Sequence, residues 1–304
     1  MAGVLLILLT ALVFPGIILR TRSLLSGRKG PGLFQPLLDW WVLARKGRVV
    51  STTTSLIFQV APVIQLAAVL VAILVIPVAN QPALFPFEGD FVFFAYILAV
   101  GRFFMILAAL DTGSSFEGMG ANREALFSLL VEPALFILLG TFAMLTGYTS
   151  FTEIFASFRL DGSPYAFIFG LIGCYLLVQI AMVETSRMPV DDPKTHLELT
   201  MIHEVMILDY SGFDKALIHL ATAIKFTVYG SLIVSSLVPP KAATVWQVLF
   251  FILIQIGFAL IIGFSESFRA RNKMFRNAQY ILTLSAIALL AFVVVLIITH
   301  KLIT

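Results

Sequence analysis

The sequence predicts an all-α membrane protein that crosses the bilayer about eight times. The chain of 304 residues is 60% hydrophobic and only 12% charged, whereas about a quarter of the residues in a typical soluble domain carry charge. Apolar runs long enough to cross ~30 Å of hydrocarbon recur along the whole length. The longest polar stretch, residues 184–214, holds seven of the seventeen acidic residues. We therefore expect one integral-membrane domain, residues 1–304, with a long cytoplasmic loop between its fifth and sixth spans.

The distribution of basic residues predicts the orientation. The first apolar run is followed, not preceded, by a basic cluster, which is typical of a retained span with its N-terminus outside. Of the twenty Lys and Arg residues, fifteen fall in segments assigned to the inside and three in segments assigned to the outside. This asymmetry follows the positive-inside rule and places both termini outside. The predicted spans cover residues 3–20, 56–79, 91–110, 125–146, 165–183, 216–238, 245–264 and 278–299.

An amphipathic helix is predicted between the first two spans, within RTRSLLSGRKGPGLFQPLLDWWVLARKGR. Its apolar face is about fourteen residues long, which is too short to cross a bilayer. We expect it to lie in the interface with Trp40 and Trp41 at headgroup depth. A plain membrane anchor and a docking surface for a peripheral subunit are both open interpretations.

Three ionisable residues lie within predicted spans at matching depth, roughly 10–14 Å from the cytoplasmic boundary at 1.5 Å per residue. They are Arg102, Glu132 and Lys225. Spans three and four form an antiparallel hairpin, so Arg102 and Glu132 can face each other. Charges at this depth mark ion or proton paths more often than packing contacts, although a buried ion pair that only fixes helix packing stays an alternative.

Further carboxylates at the inner rim extend this set. Carboxylates that share a low-dielectric environment have raised and coupled proton affinities, as a proton relay requires. The candidate proton or ion path comprises Glu132, Arg102, Lys225, Glu184, Glu198 and Asp209. No catalytic or metal site is expected, because the single cysteine, Cys174, can form neither an iron–sulfur nor a zinc site alone.

The long loop is predicted to dock a soluble redox partner. Asp192 and Pro193 have the pattern of an N-cap and a first helical residue, which predicts a helix from Lys194 to about Tyr210 that stops at Ser211 and Gly212. A metal-binding histidine pair is disfavoured, because Ile207 occupies the place of the second histidine of an HExxH motif. The candidate docking residues are Arg187, Asp191, Asp192, His196, His203 and Glu204.

Other polar segments predict topology or local structure rather than a functional site. The basic loop SESFRARNKMFRN, between spans seven and eight, is a topology signal with affinity for lipid headgroups. The sequence has no basic stripe with interleaved aromatic residues, which is the pattern that would predict nucleic-acid binding. The external segment TSFTEIFASFRLDGSPY predicts a short surface helix and a turn.

Three segments carry a resemblance to a known family. The loop sequence ETSRMPVDDPKTHLELTMIHEVMILDYSG, the N-terminal RKGPGLFQPLLDWWVLARKG and DTGSSFEGMGANREALFSLLVEP together resemble the NADH dehydrogenase subunit 1 family of respiratory complex I. The chain is most similar to the hydrogenase branch, the membrane subunits of formate hydrogenlyase and related group 4 [NiFe] hydrogenases. Complex I relatives usually have a dense acidic run where this chain has Lys194, Thr195 and His196, which also favours the hydrogenase branch over a quinone pocket.

The resemblance implies a membrane-anchoring and ion-coupling subunit of a respiratory-type oxidoreductase in the inner membrane of a prokaryote. Its implied partners are hydrogenase-like small and large subunits and antiporter-like membrane subunits. Iron–sulfur clusters and a [NiFe] centre are expected in those partners, and no redox centre in this chain. Glu132 matches the family's span-four carboxylate, and Glu184, Arg187, Pro189 and Asp191 match its ETxRxPxD stretch. A quinone-binding complex I subunit and a purely structural anchor remain the alternatives; an autonomous transporter is disfavoured.

Overall fold

The computed structural model describes residues 2–78, 81–158, 164–191, 201–238 and 244–300. These residues form eleven helices: α1 Ala2–Leu25, α2 Gln35–Arg45, α3 Leu56–Leu74, α4 Asp90–Asp111, α5 Ser115–Thr146, α6 Phe151–Ser157, α7 Pro164–Glu184, α8 His203–Met206, α9 Gly212–Leu237, α10 Thr244–Phe268 and α11 Met274–His300.

Eight helices in the described part of the chain are long and apolar enough to cross a membrane: α1, α3, α4, α5, α7, α9, α10 and α11. This confirms the all-α polytopic fold and the number of spans. Helix α9 lies at the centre of the bundle, where it packs against α1, α2, α3, α7 and α10. The sixth span is therefore the element around which the others are positioned.

The predicted interfacial helix is α2, which packs against α1 and α9. Its Trp41 is exposed, and the Arg45 guanidinium lies 4.4 Å from the centre of the Trp41 ring. The connection to α1 is very close, because a Cβ built on Gly16 would lie 1.8 Å from the carbonyl oxygen of Leu33. Glycine is therefore required where this connection crosses α1.

Helix α5 is longer than the sequence predicted. The glycine-rich segment assigned to an inside loop before residue 125 is helical from Ser115 onward. Gly120 serves close packing here, since a Cβ built on it would lie 2.5 Å from Val205 of α8. Tertiary contact overrides the low helix propensity of glycine at this position.

The predicted helix from Lys194 to Tyr210 is wrong in its described part. Residues 192–200 lie outside the described residues, and only His203–Met206 is helical between residues 201 and 210. The carboxylate of Asp191 accepts hydrogen bonds from the backbone N–H groups of Ile202 and His203, at 3.0 and 3.1 Å. This acceptor comes from eleven residues earlier in the chain, so a local capping pattern could not reveal it.

One further span boundary differs from prediction. Helix α3 ends at Leu74, so Pro62 lies within the helix and Pro77 lies beyond it.

The predicted short surface helix is present as α6. Its Phe151 N–H and the preceding Ser150 hydroxyl donate to the buried carboxylate of Asp90 at 2.7 and 2.8 Å. This contact fixes α6 to the N-terminal end of α4.

Candidate functional site

Glu184, the last residue of α7, is the centre of a buried ion cluster. Its carboxylate accepts from the Arg102 guanidinium of α4 and lies 2.7 Å from the Lys225 ammonium of α9. The ammonium also donates to the Glu184 backbone carbonyl at 3.1 Å. All three residues are at least nine-tenths buried. Three spans thus place one acid and two bases together.

Glu132 of α5 also belongs to the cluster, through its contact with Arg102. Its carboxylate lies 3.3 Å from the other terminal nitrogen of Arg102, as the predicted hairpin geometry requires. The Glu132 side chain is 44% exposed, whereas that of Glu184 is 1% exposed. The guanidinium therefore lies between a buried carboxylate and one that faces out of this chain.

A small cavity lies on the side of the cluster that faces the loop of residues 184–214. Its volume is about 30 Å³ and its lining includes Glu124, Glu184, His203 and Lys225. A water needs roughly 10–15 Å³ of such volume and two to four polar partners, so this cavity has room for about two waters. His203, predicted to dock a partner, lies at this cavity, and the buried Glu124 was not predicted as a site residue.

A larger cavity of about 350 Å³ lies on the other side of the cluster, against α4 and α5. Its walls are mostly apolar, and Arg102, Glu132, Glu184 and Tyr229 bring polar groups into it. The same guanidinium and carboxylate thus border both cavities. The arrangement links the loop side of the bundle to the exposed face of Glu132.

The loop predicted for docking is partly fixed within the chain. Asp191 is 1% exposed and its second carboxylate oxygen lies 3.0 Å from the Arg271 guanidinium. Arg187 lies 3.0 Å from the buried Glu266 of α10. Neither Arg271 nor Glu266 was predicted, because the sequence SESFRARNKMFRN was interpreted only as a basic topology signal. Its single acid, Glu266, was the available clue.

The remaining predicted residues are dispersed. Glu204 lies 4.0 Å from Lys215, and Asp209 is exposed, with its backbone N–H donating to the buried Glu117 at 2.8 Å. The structure does not bring Asp209 to the cluster around Glu184. Asp192, His196 and Glu198 lie outside the described residues.

Tyr210 shows how tightly the end of the loop is held. Its hydroxyl donates to the backbone carbonyl of Phe58 at 2.9 Å, and the two rings stack with their centres 4.1 Å apart. Burial, with the nearby charge of Asp214, raises the pKa of Tyr210. The phenol therefore stays protonated at physiological pH and acts here as a hydrogen-bond donor.

The cluster can exchange protons but gives no basis for other chemistry. Lysine and carboxylate groups gain and lose protons, whereas an arginine in a protein remains charged. Ionised groups this deep in a bundle depend on one another, so a charge change at one end of the cluster alters the proton affinity of the rest. Among the described residues, no group of three or more His, Cys, Asp or Glu side chains is placed to hold a metal ion.

The chain is therefore a multi-pass membrane protein in which a buried ion cluster borders two cavities beneath a polar loop. The family model for NADH dehydrogenase matches residues 1–299. The chain therefore belongs to the NADH dehydrogenase family, in agreement with the resemblance seen in its sequence.

The curated relatives include hydrogenase subunits and NADH-ubiquinone oxidoreductase subunits. The chain is 32% identical to hydrogenase-4 component C of Escherichia coli (strain K12), over 78% of this chain and 73% of that protein. It is 28% identical to formate hydrogenlyase subunit 4 of the same organism, over 74% and 72%. It is 27% identical to NADH-ubiquinone oxidoreductase chain 1 of Dictyostelium citrinum, over 66% and 62%.

A solved structure shares the fold. A chain of the membrane-bound sulfane sulfur reductase, an archaeal respiratory membrane complex, superimposes with a TM-score of 0.78 over 96% of both chains at 18% identity. The protein is thus a membrane subunit of a respiratory-type oxidoreductase complex.

Proposed function

We propose that this chain couples electron transfer in a hydrogenase-type complex to ion movement across the membrane. Its relatives named as hydrogenase-4 and formate hydrogenlyase subunits support the hydrogenase branch. In this proposal a cytoplasmic redox arm, made of small and large subunits with iron–sulfur clusters and a [NiFe] centre, is seated on the loop around residues 184–214. Antiporter-like membrane subunits lie beside the bundle.

One observation carries the proposal: the Arg102–Glu184–Lys225 cluster, with Glu132 beside it, links two cavities at membrane depth. Such a cluster is a poor stability device, since replacing buried ion pairs with apolar residues is often neutral or stabilising. Ionisable groups within a span are by default a functional site. A change in charge at the redox arm would shift proton affinities from the loop side through Glu184 toward Glu132.

The test is Glu132→Gln in the intact complex. The amide keeps the shape of the carboxylate but does not take up a proton, so we expect proton translocation per hydrogen turned over to fall about tenfold or more. The measurement is proton movement by the complex in proteoliposomes. Glu153→Gln, an exposed acid on the outer helix α6, is the matched control and should pump as the parent does. Unchanged pumping in Glu132→Gln would contradict the proposal.

Quinone binding is the second candidate function. An apolar cavity of about 470 Å³ lies between α1, α2 and α9, lined by Leu12, Trp40, Trp41, Phe213 and other apolar residues. It fits an isoprenoid tail, although the lining offers no charged group for a headgroup. Quinone-dependent turnover of the purified complex, blocked by quinone-site inhibitors, would favour this function; turnover indifferent to quinone would exclude it.

A further inference from the structure

The hydroxyl of Tyr229 is a buried polar group without a hydrogen-bond partner among the described residues. The side chain is 0% exposed. A buried polar group without a partner destabilises the folded protein, so such a group calls for a water, a ligand or a functional reason. The structure shows where that occupant would be, because Tyr229 lines the 350 Å³ cavity together with Arg102, Glu132 and Glu184.

The position of Tyr229 follows from α9. Residues four apart on a helix share a face, so Tyr229 lies one turn beyond Lys225 on the side that meets Glu184. Lys225 turns its ammonium to the Glu184 carboxylate, and the phenol borders the cavity next to it. One helix face therefore presents first a base and then a hydroxyl to the same cluster.

The position of Arg102 explains why a proton path between the two carboxylates would need such a hydroxyl. Its guanidinium contacts both Glu184 and Glu132, so the shortest line between the two carboxylates passes through a group that does not give up its proton. A proton that leaves Glu184 for Glu132 must pass around the guanidinium. The cavity beside it is wide enough for several waters at roughly 10–15 Å³ each, and a tyrosine hydroxyl both donates and accepts.

We propose that Tyr229 is a positioning residue that completes the proton path around Arg102, by holding water between Glu184 and Glu132. In the transfer, the hydroxyl accepts a hydrogen bond from the water on the Glu184 side and donates one to the water on the Glu132 side. The phenol oxygen takes a proton from the water on the Glu184 side as it releases its own proton to the water on the Glu132 side. Rotation of the O–H bond then restores its starting direction. This inference rests on the proposed function and adds a residue that the spacing of charges alone did not indicate.

The experiment compares Tyr229→Phe with the intact complex. Phenylalanine keeps the ring and its packing and removes only the oxygen, so assembly and electron transfer in the presence of an uncoupler should be retained. Proton translocation per turnover should fall about tenfold or more, and its solvent deuterium isotope effect should change. Tyr175→Phe is the matched control, because Tyr175 is half exposed on the spanning helix α7 and should behave as the parent.

The outcomes separate this inference from the proposed function. If Glu132→Gln abolishes pumping and Tyr229→Phe pumps normally, the role of Tyr229 is refuted and the proposed path stands. If neither variant changes pumping, both are refuted. If the Tyr229→Phe complex does not assemble, the inference is tested instead with a density map of the parent complex in which water molecules are resolved. Water bonded to the Tyr229 hydroxyl and leading to Glu132 or Glu184 would support the inference, whereas a partner side chain bonded to that hydroxyl would overturn it.

Discussion

Glu184 differs from the other acids of the loop because it balances two buried cations. Its carboxylate contacts Arg102 and Lys225, and its side chain is 1% exposed. Removing one partner from a buried ion pair leaves an uncompensated charge, which typically costs about 3–5 kcal/mol. Glu132 has nearly half of its side-chain surface open and a single contact to Arg102. The two carboxylates therefore have separable roles: Glu184 balances buried charge, and Glu132 lies at the exposed end of the proposed path.

This difference predicts that Glu184→Gln lowers the stability of the complex far more than Glu132→Gln does. The expected loss is about 3–5 kcal/mol, measured as a lower thermal midpoint of the detergent-purified complex. Adding Lys225→Met to Glu184→Gln should restore part of that loss, because it removes one of the two orphaned cations. A double variant as unstable as the sum of its singles would show that Glu184 and Lys225 are not coupled.

Residues 271–277, which join α10 to the first turn of α11, hold the loop in place. Arg271 pairs with Asp191, the Asn272 N–H donates to the Pro189 carbonyl at 2.9 Å, and the Asn277 amide donates to the Val190 carbonyl at 2.9 Å. Asp191 in turn caps α8 through two backbone N–H groups. The segment that the sequence marked only as basic is thus a clamp on the loop that borders the ion cluster.

The clamp predicts that Arg271→Ala disorders the loop and weakens attachment of the soluble arm. It removes the Arg271 guanidinium from the buried Asp191 carboxylate, and loss of one partner of a buried ion pair typically costs about 3–5 kcal/mol. The measurement is hydrogen exchange over residues 185–191 and 201–210, together with the yield of soluble subunits that co-purify. The matched control is Arg276→Ala, an exposed residue at the start of α11, which should change stability by no more than about 0.5 kcal/mol. Equal exchange in both variants would contradict the clamp.

At the scale of the whole molecule, the charge asymmetry of the loops predicts both termini outside. The small cavity beside the cluster and the clamp then both lie at the side assigned to the cytoplasm. The proposed redox arm would dock at that side. The orientation is therefore part of the proposed function.

Cysteine labelling of intact cells that produce the complex tests the orientation. In a Cys174→Ser background, Thr149→Cys lies just before α6 and Ser26→Cys just after α1, both at exposed positions. A membrane-impermeant maleimide should label Thr149→Cys in intact cells and Ser26→Cys only after permeabilisation. The reverse pattern would overturn the predicted orientation and the assignment of the loop to the cytoplasm.

Much of this architecture could be predicted because it depends on local physics. Each span is an apolar run of sufficient length, and α2 is an amphipathic stretch too short to cross. The contact of Arg102 with Glu132 followed from the hairpin of two adjacent spans. By contrast, Glu266 and Arg271 looked like ordinary loop charges, since their partners lie about eighty residues away along the chain.

The eight-span helical bundle with charges at membrane depth follows from the order of the amino acids, because hydrocarbon sets the length and polarity of every helix that crosses it. Which of these charges meet depends on how the helices pack. The rotation of α7 and α9 about their axes brings Glu184 to both Arg102 and Lys225, and leaves the Tyr229 hydroxyl at a cavity. Such rotations depend on side-chain packing between distant segments, which no local pattern records.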